Sequence, residues 1–353
     1  MKVAITADVH LQERESYPER YNALANILDQ MLEEKIAILI IAGDLFDKKS
    51  QNYSEFDEFC KQSKYSAIDL YIIPGNHDPG INARYFTSKN IKIFNEPKIV
   101  KLGGSSAMFF FLPYLSDRSM GEIIAEFKND LPRNWVLIGH GSYLSGIRDP
   151  NPYETGVYMP LSRSDVEHFR PAKVILGHIH KKMEIDGTVH YTGSPCGLDI
   201  NETGKRSFLV ADTDNPDFII PKIVDTDRIF LNETLITLPL PDEFGYAKSK
   251  IDEMIKKWGL AKNEEPKARI RLKIRGYTSD KGRLKGVIME NLSAFAFYNN
   301  EEPDLTEVLI SNDSERFQIV EKVKQEIAML EWLDKTTTKE DILEMALHII
   351  LKE

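Results

Sequence analysis

The stretch Lys2-Val3-Ala4-Ile5-Thr6-Ala7-Asp8-Val9-His10 joins an apolar run to an aspartate and a histidine. Four later stretches repeat this arrangement and stop at a short polar motif: Gly43-Asp44-Leu45-Phe46-Asp47, Gly75-Asn76-His77-Asp78, Gly139-His140 and Gly177-His178-Ile179-His180. One Asp-x-His carries little weight, because short motifs recur by chance. Five such motifs predict polar side chains gathered beyond the carboxyl ends of strands, where open α/β sheets place their functional sites.

The five motifs hold five of the chain's eight histidines, together with several carboxylates and one asparagine amide. Any one of these histidines alone has an ordinary structural explanation, but the whole set shares a chemistry. Imidazole nitrogens mixed with carboxylate and amide oxygens suit two adjacent divalent cations. The mixture favours manganese or iron over a structural zinc bound by thiolates. The sequence therefore predicts a two-metal hydrolase that acts on a phosphate ester.

Three further histidines lie outside the motifs. His168 and His348 occur in helix-like stretches without ligand-type neighbours, and we expect both to be structural. His190 lies on a predicted strand before Thr192-Gly193-Ser194-Pro195. We expect His190 to stay outside the site as well.

The composition is that of a globular protein with more than one domain: 353 residues, 42% hydrophobic and 28% charged. No apolar run approaches the roughly 20 residues that a membrane span needs. We interpret Lys2–Thr6 as a strand and not as a leader, because it runs directly into a motif. The two cysteines exclude a disulfide framework, so we expect a cytoplasmic protein. The net charge of −10 argues against a broad basic surface but not against a local one.

Strand and helix patterns alternate along the first half of the chain and predict an α/β fold. Arg20–Lys35 has the spacing of one apolar helical face, and Ile36–Ala42 is a β-branched run typical of a strand buried on both faces. Gly141–Pro171 is polar and rich in glycine and proline, which predicts a long loop, either functional or simply a mobile surface segment. This stretch carries Tyr143, Arg148, Tyr153, Tyr158 and Arg163.

The character of the sequence changes at Asp225–Pro241, where we place a domain boundary. We expect a metal-binding domain over residues 1–230, a smaller α/β domain over 231–305 and C-terminal helices over 306–353. In the smaller domain, the predicted strand Ala268–Arg275 alternates cations with apolar residues. Four cations therefore share one face: Arg269, Arg271, Lys273 and Arg275. A solvated strand face and a surface for a phosphate backbone both fit this pattern.

The last helical stretch, Thr338–Lys352, begins with Thr338 and Asp341 spaced as in a capping box. It carries one apolar stripe: Ile342, Met345, Ala346, Ile349 and Ile350. A helix this apolar packs either on its own domain or on a partner helix. We favour the partner helix.

The motifs resemble those of the calcineurin-like metallophosphoesterase superfamily, and the resemblance covers roughly the first 200 residues. Asp44-Leu45-Phe46-Asp47-Lys48 lacks the Asp-Arg-Gly of protein phosphatases, and Asp78 stands where those enzymes have glutamate. Both departures count against a phosphoprotein substrate. Asp8-Val9-His10-Leu11 and Tyr191-Thr192-Gly193-Ser194-Pro195 are more similar to the SbcD-type DNA repair nucleases.

This resemblance implies a metallophosphoesterase α/β sandwich with a smaller C-terminal α/β capping domain and terminal helices. It also implies two divalent metal ions, manganese in the nucleases, bridged by Asp44. The remaining metal ligands would be Asp8, His10 and His180 at one metal, and Asn76, His140 and His178 at the other.

The resemblance gives the other motif residues supporting tasks. His77 is the candidate general acid, or a stabiliser of the pentavalent transition state, and Asp78 is expected to orient it. Asp47 is expected to hydrogen-bond a metal ligand or nearby backbone. Some archaeal members have a second active-site histidine at this position, whereas bacterial-type members have aspartate. No catalytic role is therefore transferred to Asp47.

SbcD-type enzymes act on DNA, so the resemblance implies exonuclease activity from ends and endonuclease activity on single strands or hairpins. It further implies a homodimer, DNA contacts from the four strand cations, and docking of the C-terminal helices on an SbcC-type coiled-coil ATPase. Nothing in the sequence implies a membrane partner.

Two other functions remain open. A small-molecule phosphodiesterase, for example one that cleaves cyclic nucleotides, shares the core but has little use for a basic strand or an apolar terminal helix. A non-catalytic scaffold with the same fold typically loses metal ligands, whereas every expected ligand is present in this chain.

Overall fold

The structure, a computed structural model, describes residues 1–48, 51–144, 156–238, 240–310, 314–332 and 337–351. The chain divides into two compact units. The first contains Met1–Gly197 and Lys205–Asp227, and the second contains Leu198–Gly204 and Arg228–Glu353. The separation of 231–305 from 306–353 stays a prediction.

Strands and helices alternate along the first unit. Its elements are β1 (Lys2–Thr6), α1 (Pro18–Glu33), β2 (Ile38–Ala42), α2 (Tyr53–Lys61), β3 (Asp69–Ile73), β4 (Ile91–Ile93), β5 (Lys98–Lys101), β6 (Met108–Leu112), α3 (Met120–Phe127), β7 (Trp135–His140), β8 (Tyr143–Leu144), β9 (Leu161–Ser162), α4 (Arg163–Phe169), β10 (Lys173–Gly177), β11 (Met183–Ile185), β12 (Val189–Tyr191), β13 (Ser207–Asp212) and β14 (Asn215–Ile223).

Two six-stranded sheets form from these strands. The first has the order β14-β13-β1-β2-β3-β4, in which β1 to β4 run parallel. The second has the order β11-β12-β10-β7-β6-β5, in which β12, β10, β7 and β6 run parallel. Because parallel strands point the same way, each sheet gathers the residues that follow its strands at one edge.

The alternation of side chains along the strands builds three apolar layers. Between the sheets, Ile5 of β1 and Ile40 of β2 pack in one cluster with Phe111 of β6. Helices α1 and α2 cover the outer face of the first sheet, and α3 and α4 cover that of the second. Each fully buried side chain of this size contributes about 1.5–3 kcal/mol. The predicted α/β sandwich is confirmed.

The stretch from residue 141 to residue 171 contains regular structure, so the prediction of one long loop is wrong. Strands β8 and β9 pair in parallel, and α4 follows them. A capping box starts α4: Ser162 Oγ accepts from Asp165 N at 3.1 Å, and Asp165 Oδ2 accepts from Ser162 N at 2.8 Å. The stretch around His168 is helix-like in sequence, but this short helix lacks the apolar periodicity that would have given its bounds. Arg148 and Tyr153 lie outside the described residues.

The second unit is a smaller α/β structure. Its elements are β15 (Ile229–Thr237), α5 (Glu243–Trp258), β16 (Ala268–Thr278), α6 (Lys281–Asn291), β17 (Ala296–Phe297), β18 (Asp304–Ile310), α7 (Ser314–Met329) and α8 (Lys339–Leu351). Strand β16 is central and runs parallel to β15, β17 and β18. Its apolar residues, among them Leu272, pack in one cluster with α5 and α6.

Helix α8 packs within the second unit. Leu343 and Leu347 are buried in a cluster with Val320 of α7 and Tyr277 of β16. The unit itself thus covers part of the apolar stripe, whereas Met345 and Ile349 are 55% and 80% exposed. In the described part of the chain, no helix is long and apolar enough to cross a membrane.

Candidate metal centre

The predicted site residues come together in the first unit. They leave the carboxyl ends of β1, β2 and β3 in one sheet and of β7 and β10 in the other. Among the described residues, three groups of donor atoms could each hold a cation, with all ligand atoms of a group within 4.8 Å of one another: Asp8, His10 and His180; His10, Asp44 and His77; and Asp8, Asp44 and His140. Below, the first set is Asp8, His10 and His180, and the second set is Asn76, His140 and His178.

The first set has a short contact between two imidazole nitrogens. His10 Nε2 lies 3.1 Å from His180 Nε2. Ligand atoms that each lie about 2.0–2.2 Å from a shared metal are themselves separated by roughly 3 Å or slightly more. The His10–His180 spacing therefore fits two ligands of one cation, and the buried Asp8 carboxylate supplies an oxygen to the same set.

The second set centres on the Asn76 side chain. Asn76 Oδ1 lies 2.8 Å from His140 Nε2 and 3.3 Å from His178 Nδ1. His140 Nδ1 donates to the carbonyl oxygen of Ala42 at 2.9 Å, because a carbonyl oxygen can only accept. That hydrogen bond leaves Nε2 as the atom that can bind a metal.

Asp44 stands between the two sets. Its Oδ2 atom lies 3.7 Å from His10 Nε2 and 3.3 Å from His140 Nε2. Its Oδ1 atom accepts from the main-chain N–H of His77 at 2.8 Å. The position of Oδ2 is the one that a bridging carboxylate would occupy.

Four of the seven predicted ligands have left-handed backbone conformations. Their φ angles are 53° at Asp8, 50° at His10, 50° at Asp44 and 94° at His178. Side chains other than glycine rarely adopt this region, and each such residue costs about 1–3 kcal/mol. Backbone strain of this kind clusters at functional sites, where the surrounding fold holds it in place.

Glycines allow the motif loops to approach one another. Gly43 has a φ of 90°, and a Cβ there would overlap the ring of His140. A Cβ on Gly75 would overlap the Asp44 carboxylate and its main-chain nitrogen. The glycines that precede the ligands therefore make room for ligands from neighbouring strands.

The site holds an excess of buried negative charge. Burial raises the pKa of Asp8 to about 6, despite nearby His180 and His140. Burial and the charge of Asp44 raise the pKa of Asp78 to about 7. Divalent cations would neutralise this excess, so the donor set and its electrostatics both fit bound metals.

Burial and neighbouring charges shift the pKa values of Asp44 and His140 in opposite directions. Burial alone would raise the pKa of Asp44, but His140, His10 and His77 outweigh it and hold that pKa below its usual range. Burial likewise would lower the pKa of His140, but Asp44 raises it to about 9. Burial lowers the pKa of His10, which keeps that imidazole neutral, the form that binds metals.

His77 differs from the predicted ligand histidines in its exposure. Its side chain is 18% exposed, against 9% or less for His10, His140, His178 and His180. Its Nε2 atom lies 4.0 Å from Asp44 Oδ2. A partly exposed imidazole beside the centre can reach a substrate, as a general acid must.

Asp78 contacts main-chain groups of two motifs. Its Oδ1 accepts from Gly75 N at 2.8 Å and its Oδ2 from Phe46 N at 3.0 Å. The carboxylate thus ties together the loops after β2 and β3, the second of which carries His77. Asp47 lies beside a ligand, with Oδ2 4.0 Å from His10 Nδ1.

The sequence motifs do not predict two buried arginines that lie beside the site. Arg20 donates to the carbonyl oxygen of His10, and Arg206 to that of His180. The position of Arg20 could have been predicted from the sequence, because Arg20 shares a helical face with Leu24 and Ile27 and so interrupts an apolar stripe. The position of Arg206 could not, because its contacts depend on residues far along the chain.

In the second unit, the four predicted cations share one face of β16, opposite the buried Ile270, Leu272 and Ile274. Neighbouring segments bring carboxylates to this face, which the pattern of the strand alone did not reveal. Arg271 Nη2 pairs with Glu301 at 2.9 Å. Glu307 of β18 pairs with Lys273 and, at 2.9 Å, with Arg275 Nε. Arg269 donates to main-chain carbonyls of its own segment.

The family model for calcineurin-like phosphoesterases matches residues 1–200, more than half of the chain, and the chain belongs to this family. Membership of this family implies a metal-dependent phosphoesterase domain, a hydrolase, over residues 1–200. The residues that would hold the metals are the seven predicted ligands. When bound, divalent cations there neutralise phosphoryl charge and lower the pKa of water.

The similarity to individual relatives is low and covers only part of the chain. The chain is 26% identical to the uncharacterized metallophosphoesterase YhaO of Bacillus subtilis over 212 residues, 56% of this chain and 50% of that one. It is 27% identical over 210 residues, 54% of this chain and 53% of that one, to the DNA double-strand break repair protein Mre11 of Saccharolobus solfataricus. The corresponding Nanoarchaeum equitans protein is 32% identical over 84 residues, 22% of this chain and 23% of its own. The chain spans about half the length, or less, of these relatives.

Proposed function

We propose that this protein is a DNA nuclease that hydrolyses phosphodiesters with two metal ions, manganese being the preferred metal. One observation carries the proposal. The chain brings the full predicted ligand set together beside a partly exposed His77, and it aligns over 210 and 84 residues with two proteins named for DNA double-strand break repair. The ligand chemistry, nitrogen mixed with carboxylate and amide oxygen, supports manganese.

The chain's own residues have distinct tasks in this proposal. The buried Asp8 and Asp44 supply negative charge to the centre. His77, the partly exposed histidine, protonates the leaving alkoxide of the broken phosphodiester. Asp78 maintains the position of His77 indirectly, because it fixes the loop that carries it.

An assay with two substrates tests the proposal. Purified protein with Mn²⁺ is incubated with end-labelled single- and double-stranded DNA and, separately, with bis-p-nitrophenyl phosphate. We expect cleavage of both the DNA and the dye ester. Hydrolysis of the dye ester with intact DNA, also after addition of an SbcC-type ATPase, would contradict the nuclease.

A phosphodiesterase for small molecules or cyclic nucleotides is the second candidate. The observation that favours it is the pairing of the β16 cations with Glu301 and Glu307, which reduces their attraction for a phosphate backbone. The net charge of −10 also reduces the attraction of the protein for a phosphate backbone. The assay above separates the two candidates.

We also propose that the cation face of β16 contacts DNA, with Glu307 as a competing anion. Replacing Lys273 and Arg275 together by alanine is then expected to weaken DNA binding and to reduce the salt slope of log K by about 0.9 for each phosphate that the variant no longer neutralises. Glu307→Gln is expected to have the opposite effect, because it releases both cations. Fluorescence anisotropy over a salt series measures both.

Lys250→Ala provides the control for this test. Lys250 is an exposed cation on α5 that pairs with Glu253 at 2.7 Å. The substitution removes one positive charge from the same unit without touching the β16 face. If the Lys273 and Arg275 double variant binds DNA with an unchanged salt slope, the face is a solvated strand surface.

Docking of an SbcC-type coiled-coil ATPase on α8 belongs to the same proposal. Met345 and Ile349, four residues apart and exposed, form the apolar part of the surface. Replacing both by glutamate is expected to weaken association with such an ATPase by about tenfold or more. Isothermal titration calorimetry measures this, with the exposed Met289→Glu on α6 as the control. Equal affinities of the double variant and the parent would contradict docking at α8.

A further inference from the structure

Two arginines are buried beside the predicted metal centre. Among the described residues, no other arginine and no lysine is as deeply buried as Arg20 and Arg206, each 7% exposed. Each guanidinium donates to the main-chain carbonyl of a predicted metal ligand: Arg20 to His10 and Arg206 to His180. These two histidines are the pair whose Nε2 atoms lie 3.1 Å apart.

Arg206 joins His180 to a motif that the metal centre itself does not use. Its Nε donates to the carbonyl oxygen of Ser194 at 3.0 Å, and its Nη2 donates to Ser194 Oγ at 2.6 Å. Ser194 N in turn donates to the carbonyl oxygen of His180 at 3.0 Å. Gly193 permits this approach, since its φ is 71° and a Cβ would lie 2.9 Å from that same carbonyl oxygen. Thr192-Gly193-Ser194-Pro195 thus closes on the backbone of a ligand.

Arg20 has the corresponding position at His10. Its Nη1 lies 3.6 Å from Asp47 Oδ2, and Asp47 Oδ2 lies 4.0 Å from His10 Nδ1. His10 N donates to the carbonyl oxygen of Asp44 at 3.0 Å. Hydrogen bonds therefore hold the left-handed backbone of His10 through both its N–H and its C=O.

A buried cation at this place is costly. Removing a guanidinium from water is strongly unfavourable, and bound divalent cations would repel it further. A neutral donor could satisfy a single carbonyl at a lower cost. Only the guanidinium has five N–H donors in one rigid plane, so that one side chain fixes several acceptors at once. This geometry accounts for arginine at both places.

The second donor set is held differently. The His140 ring is fixed by the Ala42 carbonyl, and the main-chain N–H of His178 donates to Asp8 Oδ1 at 2.9 Å. Among the described residues, the buried guanidinium groups therefore contact histidine ligands of the first set, and none contacts a histidine of the second set.

We propose that Arg20 and Arg206 are positioning residues that fix the His10–His180 pair and so set the affinity of one of the two metal positions. The position formed by Asp8, His10 and His180 depends on them, and the position formed by Asn76, His140 and His178 does not. This inference rests on the proposed ligand set and is independent of the substrate.

Calorimetric titration of the metal-free full chain with Mn²⁺ tests the inference. Arg20→Gln and Arg206→Gln are each expected to weaken one of two binding events about 10- to 100-fold, as the loss of groups that orient ligands does, and to leave the other within a few fold. Arg206→Lys is expected to recover part of the affinity, because an ammonium can hold the His180 carbonyl but not the whole set of acceptors.

Asp57→Ala is the matched control for a loss of stability alone. Asp57 is a buried carboxylate of the same unit that accepts from Ser88 N at 2.9 Å and Thr87 N at 3.1 Å. The substitution is expected to destabilise the unit and leave both manganese affinities unchanged. Circular dichroism verifies that each variant is folded at the titration temperature.

The inference is overturned if the arginine variants bind both metals as the parent does, or lose both equally, or if Asp57→Ala shows the same selective loss. An Asp44→Asn variant that keeps both binding events would instead show that the ligand set is wrong. The failure of the inference and the failure of the metal assignment are therefore distinguishable.

Discussion

His77→Ala is expected to slow DNA cleavage by about 10²- to 10⁴-fold, the range that a general acid supplies, while manganese binding stays intact. The reason is the position of the ring, which is partly exposed and 4.0 Å from Asp44 Oδ2. The effect is expected to be much smaller with bis-p-nitrophenyl phosphate, because a nitrophenolate leaves without a proton. Single-turnover rates on both substrates and a manganese titration measure it.

His168→Ala is the control, since His168 is an exposed histidine on α4 of the same unit. This variant is expected to cleave both substrates at the parental rate. If His77→Ala slows both substrates by the same factor, His77 stabilises the transition state by charge and does not protonate the leaving group. Parental cleavage of DNA by His77→Ala would remove the residue from the mechanism.

Asp44→Asn is expected to abolish activity, by at least about 10³-fold, and to weaken metal binding. Asp44 Oδ2 lies near both donor sets, 3.7 Å from His10 Nε2 and 3.3 Å from His140 Nε2. Ligand binding at a hundredfold excess over Kd contributes about 2.7 kcal/mol for each site, which raises Tm by several degrees. We expect the parent protein to show this rise with Mn²⁺ and the variant to lose most of it, measured by scanning calorimetry.

Asp57→Asn is the control for a general loss of stability, because it alters a buried carboxylate of the same unit that lies away from the metal centre. It is expected to lower Tm with and without Mn²⁺ and to keep the difference between the two. An Asp44→Asn protein with the full manganese-dependent rise would contradict the bridging position of Asp44.

Local patterns in the sequence predict much of the first unit. The bounds of β1 agree with the apolar run Lys2–Thr6 that predicts them, because a strand buried between layers must be apolar along its length. The convergence of Asp8, Asp44 and His140 follows from the same patterns, since each follows or ends a strand that has at least one parallel neighbour.

Contacts between residues that are far apart in the chain could not be predicted from the sequence. Glu307 reaches Lys273 and Arg275 only because β18 lies beside β16, and nothing in either strand specifies that register. Arg206 reaches His180 across 26 positions of the chain. The bounds of helix α4 were not predicted for a different reason: it has seven residues, too few to show helical periodicity.

Seven side chains from two sheets are expected to form a two-metal centre. Anomalous diffraction from crystals soaked in Mn²⁺ shows directly whether they do. We expect two manganese peaks in the first unit, one enclosed by Asp8, His10 and His180 and the other by Asn76, His140 and His178, with Asp44 between them. A single peak, or peaks away from these side chains, would contradict the two-metal centre.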